Sequence, residues 1–153
     1  MIPGDRLLCV LVRPLEQGAE FKDWPLHITI VPWFRTDTST ETLAGELRQA
    51  LQEQKPFLIT VDGEAHFGRR RKPVNLIMLP SPLTDLETAA RQLLRSHDAW
   101  MVDETTKVKR PFRPHITAQK SVQPREGDRI MCDNLYIIEQ KGDHKEVVVC
   151  IQL

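Results

Sequence analysis

Charge of neither sign predominates in this chain. Lys and Arg together number 21, Asp and Glu number 21, and the formal net charge is zero. Proteins that coat long duplexes draw their affinity from neutralising many phosphates. The balance excludes that class and leaves room for a local basic mouth on a short oligonucleotide or a single phosphate. Cysteine is scarce. Cys9, Cys132 and Cys150 are far apart, odd in number and set in or beside apolar runs, a pattern of buried reduced thiols. No C-x-x-C pair occurs, so no zinc site is expected. Low-complexity tracts are missing, as is any apolar run long enough to span a bilayer. The opening MIPGDRLLCVLV carries no charged leader followed by an apolar stretch and a cleavage site. The expectation is a cytoplasmic monomer with no membrane attachment, no cofactor and no metal. A chain of 153 residues buries about 70% of the surface its unfolded form exposes, enough for one domain over 1–153 without a disulfide.

What is present divides into two similar halves. Leu7 to Val12 is a continuous apolar run that predicts a buried strand, and Leu26 to Val31 predicts a second one closed by Pro32, with a polar loop between them. Thr38-x-x-Glu41 is a capping box ahead of Leu43, Leu47, Ala50 and Leu51, which share one helical face. Phe57 to Phe67 alternates as a strand. Gly68 and the run Arg69-Arg70-Arg71-Lys72 form a turn, and Val74 to Leu79 returns as its partner. The second half repeats the plan. Thr84-x-x-Glu87 precedes Leu86, Ala90, Leu93 and Leu94 at helical spacing, and 103–109 is a polar loop. Phe112 to Ala118 is a strand, and Ile130 to Ile138 and Val147 to Ile151 pair about a turn at Gly142-Asp143. The order implies an α+β fold of two pseudo-symmetric lobes.

One tetrapeptide pattern occurs in both halves: Leu26-His27-Ile28-Thr29 and Pro114-His115-Ile116-Thr117. Side chains on a strand alternate faces, so each copy presents an imidazole and a hydroxyl on one side and apolar residues on the other. If the halves face each other, two imidazoles and two hydroxyls meet across a cleft. Phosphodiester chemistry needs that set. One neutral imidazole takes a proton from the attacking oxygen, and one imidazolium gives a proton to the departing oxygen. The hydroxyls donate to non-bridging oxygens, where charge is concentrated as the reaction proceeds. A single H-x-T is an ordinary half-buried histidine beside a β-favouring threonine; the duplication carries the functional reading. His66, His97 and His144 lack such a partner and read as solvated or structural.

The paired motifs, the approach Pro111-Phe112-Arg113-Pro114, and the middle region from Gly63 to Leu79 resemble the two-histidine phosphoesterase superfamily. Within it the likeness is to the RNA 2′,3′-cyclic phosphodiesterases, also called 2′-5′ RNA ligase-like proteins. The resemblance implies two antiparallel sheets about a pseudo-twofold axis, helices outside and an active cleft between the lobes. It implies that His27 protonates the leaving oxygen, that His115 activates water, and that Thr29 and Thr117 hold the phosphate. Where relatives often carry arginine three residues after the second threonine, this chain has Lys120, a point charge without arginine's bidentate fork. Arg69, Arg70 and Arg113 are candidates for clamping further phosphates. Trp33 and Phe34 are candidates for stacking a base, although alternation sends one of the two into the core. The expected partner is an RNA end or a small nucleotide. Three activities fit these residues: hydrolysis of a 2′,3′-cyclic phosphate to a 2′-phosphate; cleavage or ligation of 2′-5′ linked or cyclic oligonucleotides; and non-catalytic binding of RNA or nucleotide in the same cleft.

Overall fold

The computed structural model describes residues 1–105 and 110–153. Its elements in chain order are β1 (Arg6–Leu11), β2 (Glu20–Phe21), β3 (His27–Arg35), α1 (Thr40–Ala50), β4 (Phe57–Phe67), β5 (Lys72–Ile77), α2 (Leu83–Ser96), β6 (Trp100–Met101), β7 (His115–Thr117), β8 (Arg129–Cys132), β9 (Asn134–Gln140) and β10 (Lys145–Gln152). A short 3-10 turn, Val102–Glu104, follows β6, so the loop expected over 103–109 opens on helical geometry, and the rest of it reaches beyond the described residues. The class is α+β, as expected.

Nine strands follow one path, β2-β10-β9-β1-β3-β7-β5-β4-β8, and β6 pairs with β3. The pairings are antiparallel throughout. The expected two sheets are thus joined. The arm that ends at β3 joins β1 to the C-terminal β9 and β10, and the arm that begins at β7 runs through β5, β4 and β8. Each arm thus mixes strands of both sequence halves, and Ile28 paired with Ile116 links them. Both H-x-T strands therefore sit at the middle of the path, each beside the other.

The larger core lies on the face carrying Val10, Ile28, Ile30 and Ile116, and both helices cover it. Leu43, Ala44 and Leu47 of α1 are buried there, as are Leu83, Leu86, Ala90 and Leu94 of α2. Each large aliphatic side chain so buried contributes about 1.5–3 kcal/mol. A smaller cluster of Leu7, Cys9, Leu11, Tyr136, Ile138 and Val147 packs on the other face, with Phe21, Trp24 and Trp33 against it. That is the face the motif side chains share. Cys9 and Cys132 are buried free thiols, and Cys150 is half-buried and free.

Several boundaries differ from the sequence expectation for identifiable reasons. β3 runs through Pro32 to Arg35. The register with β1 shifts between Arg6–Phe34 and Leu8–Val31, so Pro32 sits in a bulge where its missing N–H costs no ladder bond. The run Ile130 to Ile138 is broken at Asp133, because β8 pairs with β4 while β9 pairs with β1 and β10. The helix caps shift by a residue or two: Ser39 is the cap of α1 and accepts from the Thr42 amide, while Pro82 stands at the cap of α2 without a side-chain bond, and Ser81 before it accepts from the Leu83 amide. β2 was not expected; it forms because the edge of β10 offers Lys145 and Glu146 as partners.

Candidate active site

The Ile28–Ile116 pair fixes the geometry of the site. In antiparallel register it sets His27 across from Thr117 and Thr29 across from His115, all four on the face opposite the two fully buried isoleucines. Directly opposed residues have Cβ atoms about 4.5–5.5 Å apart and diagonal ones about 7–8 Å. The imidazoles occupy a diagonal, a span that accommodates a phosphorus atom with its oxygens between the rings. His27, Thr29, His115 and Thr117 are all half-buried.

The same local device orients both rings. His27 Nδ1 donates to the Pro25 carbonyl at 2.9 Å, and His115 Nδ1 donates to the Arg113 carbonyl at 2.7 Å. A carbonyl only accepts, so Nδ1 carries the proton and Nε2 is left for chemistry in each ring. Neutral, that Nε2 is a base; protonated, it is an acid. Burial pushes the His27 imidazole below its ordinary value of 6.5, the Pro25 bond works the other way, and the neighbouring His115 adds to the lowering.

The two histidines have different flanks. Trp24 stacks on His27 with ring centroids 4.2 Å apart, and Trp24 in turn touches Phe21 at 5.1 Å and Trp33 at 6.3 Å. Phe67 meets His115 edge-on at 4.8 Å, and the Arg113 guanidinium lies 4.7 Å over the Phe67 ring. A cavity of about 390 Å³ is lined by Val12, Arg13, Arg129 and Met131 together with Leu11 and Tyr136 of the smaller cluster, and by none of the four motif residues.

The remaining candidates separate. Arg113 is exposed and belongs to the His115 flank through its contact with Phe67. Arg69 and Arg70 are exposed in the turn that follows Phe67. Lys120 is exposed, in a tight turn closed by hydrogen bonds between Gln119 and Val122, with Lys120 at φ 47° and Ser121 at φ 65°. Its Nζ donates to Asp23 at 2.7 Å, so its charge is matched by a carboxylate from the loop before β3. Such an exposed pair is worth about 0–1 kcal/mol and yields readily to a phosphate. Trp33 is half-buried against Trp24. Phe34 is not at the site: it is 1% exposed in the larger core, because strand alternation turns it to the helix-covered face. Trp24 and Asp23 were not singled out by the sequence. The only signal was an aromatic three residues ahead of the first histidine, a spacing that belongs to no strand face.

Among the described residues no group of three or more His, Cys, Asp or Glu side chains is placed to hold a metal ion. No helix among them is long and apolar enough to cross a membrane.

Two imidazoles and two hydroxyls on adjacent central strands define a two-histidine phosphoesterase, and the comparisons place the chain further. Residues 10–143 match the model of the 2′-5′ RNA ligase superfamily, and the chain belongs to that family of two-histidine enzymes acting on phosphodiester bonds. No curated protein matches it in sequence. The fold is similar to that of Escherichia coli LigT complexed with 3′-AMP, at 16% identity and a TM-score of 0.58, with 99% of each chain covered. It is also similar to a protein of Thermus thermophilus, at 19% identity and a TM-score of 0.60, with 97% of each chain covered. Kluyveromyces marxianus Usb1 shares the fold at 10% identity and a TM-score of 0.55, with 99% of each chain covered.

Proposed function

We propose that this protein is a cytoplasmic, metal-independent phosphodiesterase that hydrolyses the 2′,3′-cyclic phosphate of an RNA end or a nucleotide to a 2′-phosphate. The observation that carries the reading is the Ile28–Ile116 pairing, which brings both H-x-T motifs to one face, with their Nδ1 atoms bonded to backbone carbonyls and their Nε2 atoms unengaged by the backbone of the described residues. One imidazole removes a proton from water as it attacks phosphorus; the other protonates the departing ribose oxygen. Thr29 and Thr117 donate to the non-bridging oxygens. Arg113 and the Arg69–Arg70 turn stand on the His115 side, where a second phosphate of an RNA end would lie. A nucleotide substrate is supported by the likeness to LigT, which has been solved with 3′-AMP and with phosphate.

Replacing His27 or His115 by alanine should lower turnover of a 2′,3′-cyclic nucleotide by about 10²–10⁴-fold while leaving circular dichroism and the unfolding midpoint near those of the parent. Undiminished turnover in either variant would sink the proposal. EDTA should leave the rate unchanged, because every proton transfer is assigned to an imidazole.

The family description favours a second reading, cleavage or ligation at 2′-5′ linkages, in which the same four residues act. Product analysis on a panel of 2′,3′-cyclic, 2′-5′ linked and 3′-5′ linked substrates separates the two. Turnover on none of them would leave the site a binding module.

A further inference from the structure

Hydrolysis of a cyclic phosphate changes the charge of what a site holds. The diester carries one negative charge. The 2′-phosphate it becomes carries nearly two at neutral pH, because its second proton leaves at a pH of about 6. A lone fixed cation beside such a site therefore holds product more tightly than substrate. This chain has a cation in that place, and the cation is not alone.

Lys120 follows Thr117 by three residues, and Asp23 precedes His27 by four. Strands β3 and β7 are antiparallel through Ile28 and Ile116, so the chain entering β3 comes back against the chain leaving β7. The bond from Lys120 Nζ to Asp23 Oδ2, 2.7 Å long, closes that approach. Each end is held independently. Asp23 is followed by Trp24, whose ring stacks on His27, and Lys120 sits in the turn closed by the bonds between Gln119 and Val122. Three residues of extended chain span about 10 Å, and the turn shortens that. The pair is then within about one screening length of a phosphate held by Thr117.

The other charges at this end of the face are engaged elsewhere. Lys145 Nζ lies 5.4 Å from the Trp24 ring centre and donates to the Lys22 carbonyl. Lys22 pairs with Asp143 at 3.5 Å, and Glu20 lies 3.7 Å from His144. Arg113 is over Phe67 on the opposite flank. Among the described residues, Asp23 is the one carboxylate paired with Lys120.

We propose that Asp23 is a specificity-determining residue: as the counter-charge of Lys120 it removes the electrostatic advantage of the product, so that the doubly charged monoester leaves as readily as the singly charged diester enters. The inference rests on the cyclic-phosphate reading above. With the carboxylate in place, the pair is close to neutral as seen from the phosphate, and the second charge of the product gains nothing from it. With the carboxylate gone, Lys120 attracts two charges in place of one. Asp23 also ties down the loop that carries Trp24, but a purely structural role acts on both ligands alike. The two roles are therefore separable.

The test compares two ligands that differ by one charge and have no 3′-hydroxyl through which to cyclise. They are a 3′-deoxynucleoside 2′-phosphate and its methyl ester, titrated by calorimetry at low salt and a pH of about 8, above the second ionisation of the monoester. Asp23→Asn should tighten the monoester relative to the methyl ester by about 2–5-fold, the range of an exposed charge pair. Lys120→Met should move that ratio the other way, and the double variant should bring it back near the parent's. Added salt should shrink both shifts. A ratio that Asp23→Asn leaves unchanged or lowers would overturn the proposal, and an equal change in both affinities would assign Asp23 a structural role alone. A parent that binds neither ligand would overturn it too, because a charge filter needs a phosphate within its reach. If the shifts appear but the parent turns over no 2′,3′-cyclic nucleotide, the filter stands and the substrate reading fails.

Discussion

At the scale of single residues, each imidazole is aimed by a carbonyl two positions upstream and each phosphate contact is assigned to a threonine hydroxyl two positions downstream. A hydrogen bond to a charged group is worth about 1.5–3 kcal/mol, so Thr29→Val or Thr117→Val should lower kcat/KM on a cyclic nucleotide by about 10–150-fold. Valine keeps the strand and the volume; steady-state kinetics at unchanged unfolding midpoint would report the loss of the hydroxyl alone. Trp33 and Phe34 separate in the same way. Phe34→Ala empties a site in the larger core and should cost about 3–5 kcal/mol by denaturant unfolding, whereas Trp33→Ala removes only a half-buried ring. The lowered His27 value also has a stability sign. Between that value and the ordinary one, the folded state binds fewer protons than the unfolded state, so stability rises with pH and falls as pH drops through this window. His27→Gln should flatten that part of the Tm-versus-pH curve.

Among the elements, the legible parts were those written in local period. β4 over Phe57–Phe67 alternates and has the boundaries its sequence gives, and Arg69, Arg70 and Arg71 form the turn after it, with Lys72 already in β5. The helices bury Leu43, Leu47, Leu86, Ala90 and Leu94 as their spacing predicts, while Leu93 is half-buried and Ala50 exposed. The H-x-T strands were legible for the same reason, and because the motif appears twice. What local period does not carry is pairing between distant segments. Nothing in Ile130 to Ile138 says that its opening residues pair with β4 and the rest with β1 and β10. Nor does Glu20–Phe21 look like a strand until β10 lies beside it. Trp24 was missed for a related reason: it reaches His27 from a loop, by a turn of the chain rather than by strand spacing. The junction of β3 and β7 is the element-scale feature on which the site depends. Ile116→Ala should cost about 2–5 kcal/mol in chemical denaturation and also lower turnover per folded molecule, since it loosens the strand that carries His115.

Over the whole molecule, zero net charge coexists with Arg113 over Phe67 on the His115 flank and with Arg69 and Arg70 in the turn that follows Phe67. The balance elsewhere keeps long-range attraction to polyanions weak, so under the proposed function the local cluster would govern which phosphates bind. An Arg69→Ala, Arg70→Ala double variant should raise KM for an oligonucleotide ending in a cyclic phosphate and reduce its salt dependence, with little change for a cyclic mononucleotide. The joined sheet gives these parts a common frame, with the helices and the larger core behind the central strands and the chemistry on the face in front.

The proposed hydrolysis needs two imidazoles acting in one chemical event, and a mutant cycle on a 2′,3′-cyclic nucleotide measures that. Groups that work as a unit are not additive. His27→Ala, His115→Ala and the double variant should lose rate to nearly the same extent. Losses that multiply in the double variant, or full activity in either single one, would contradict it.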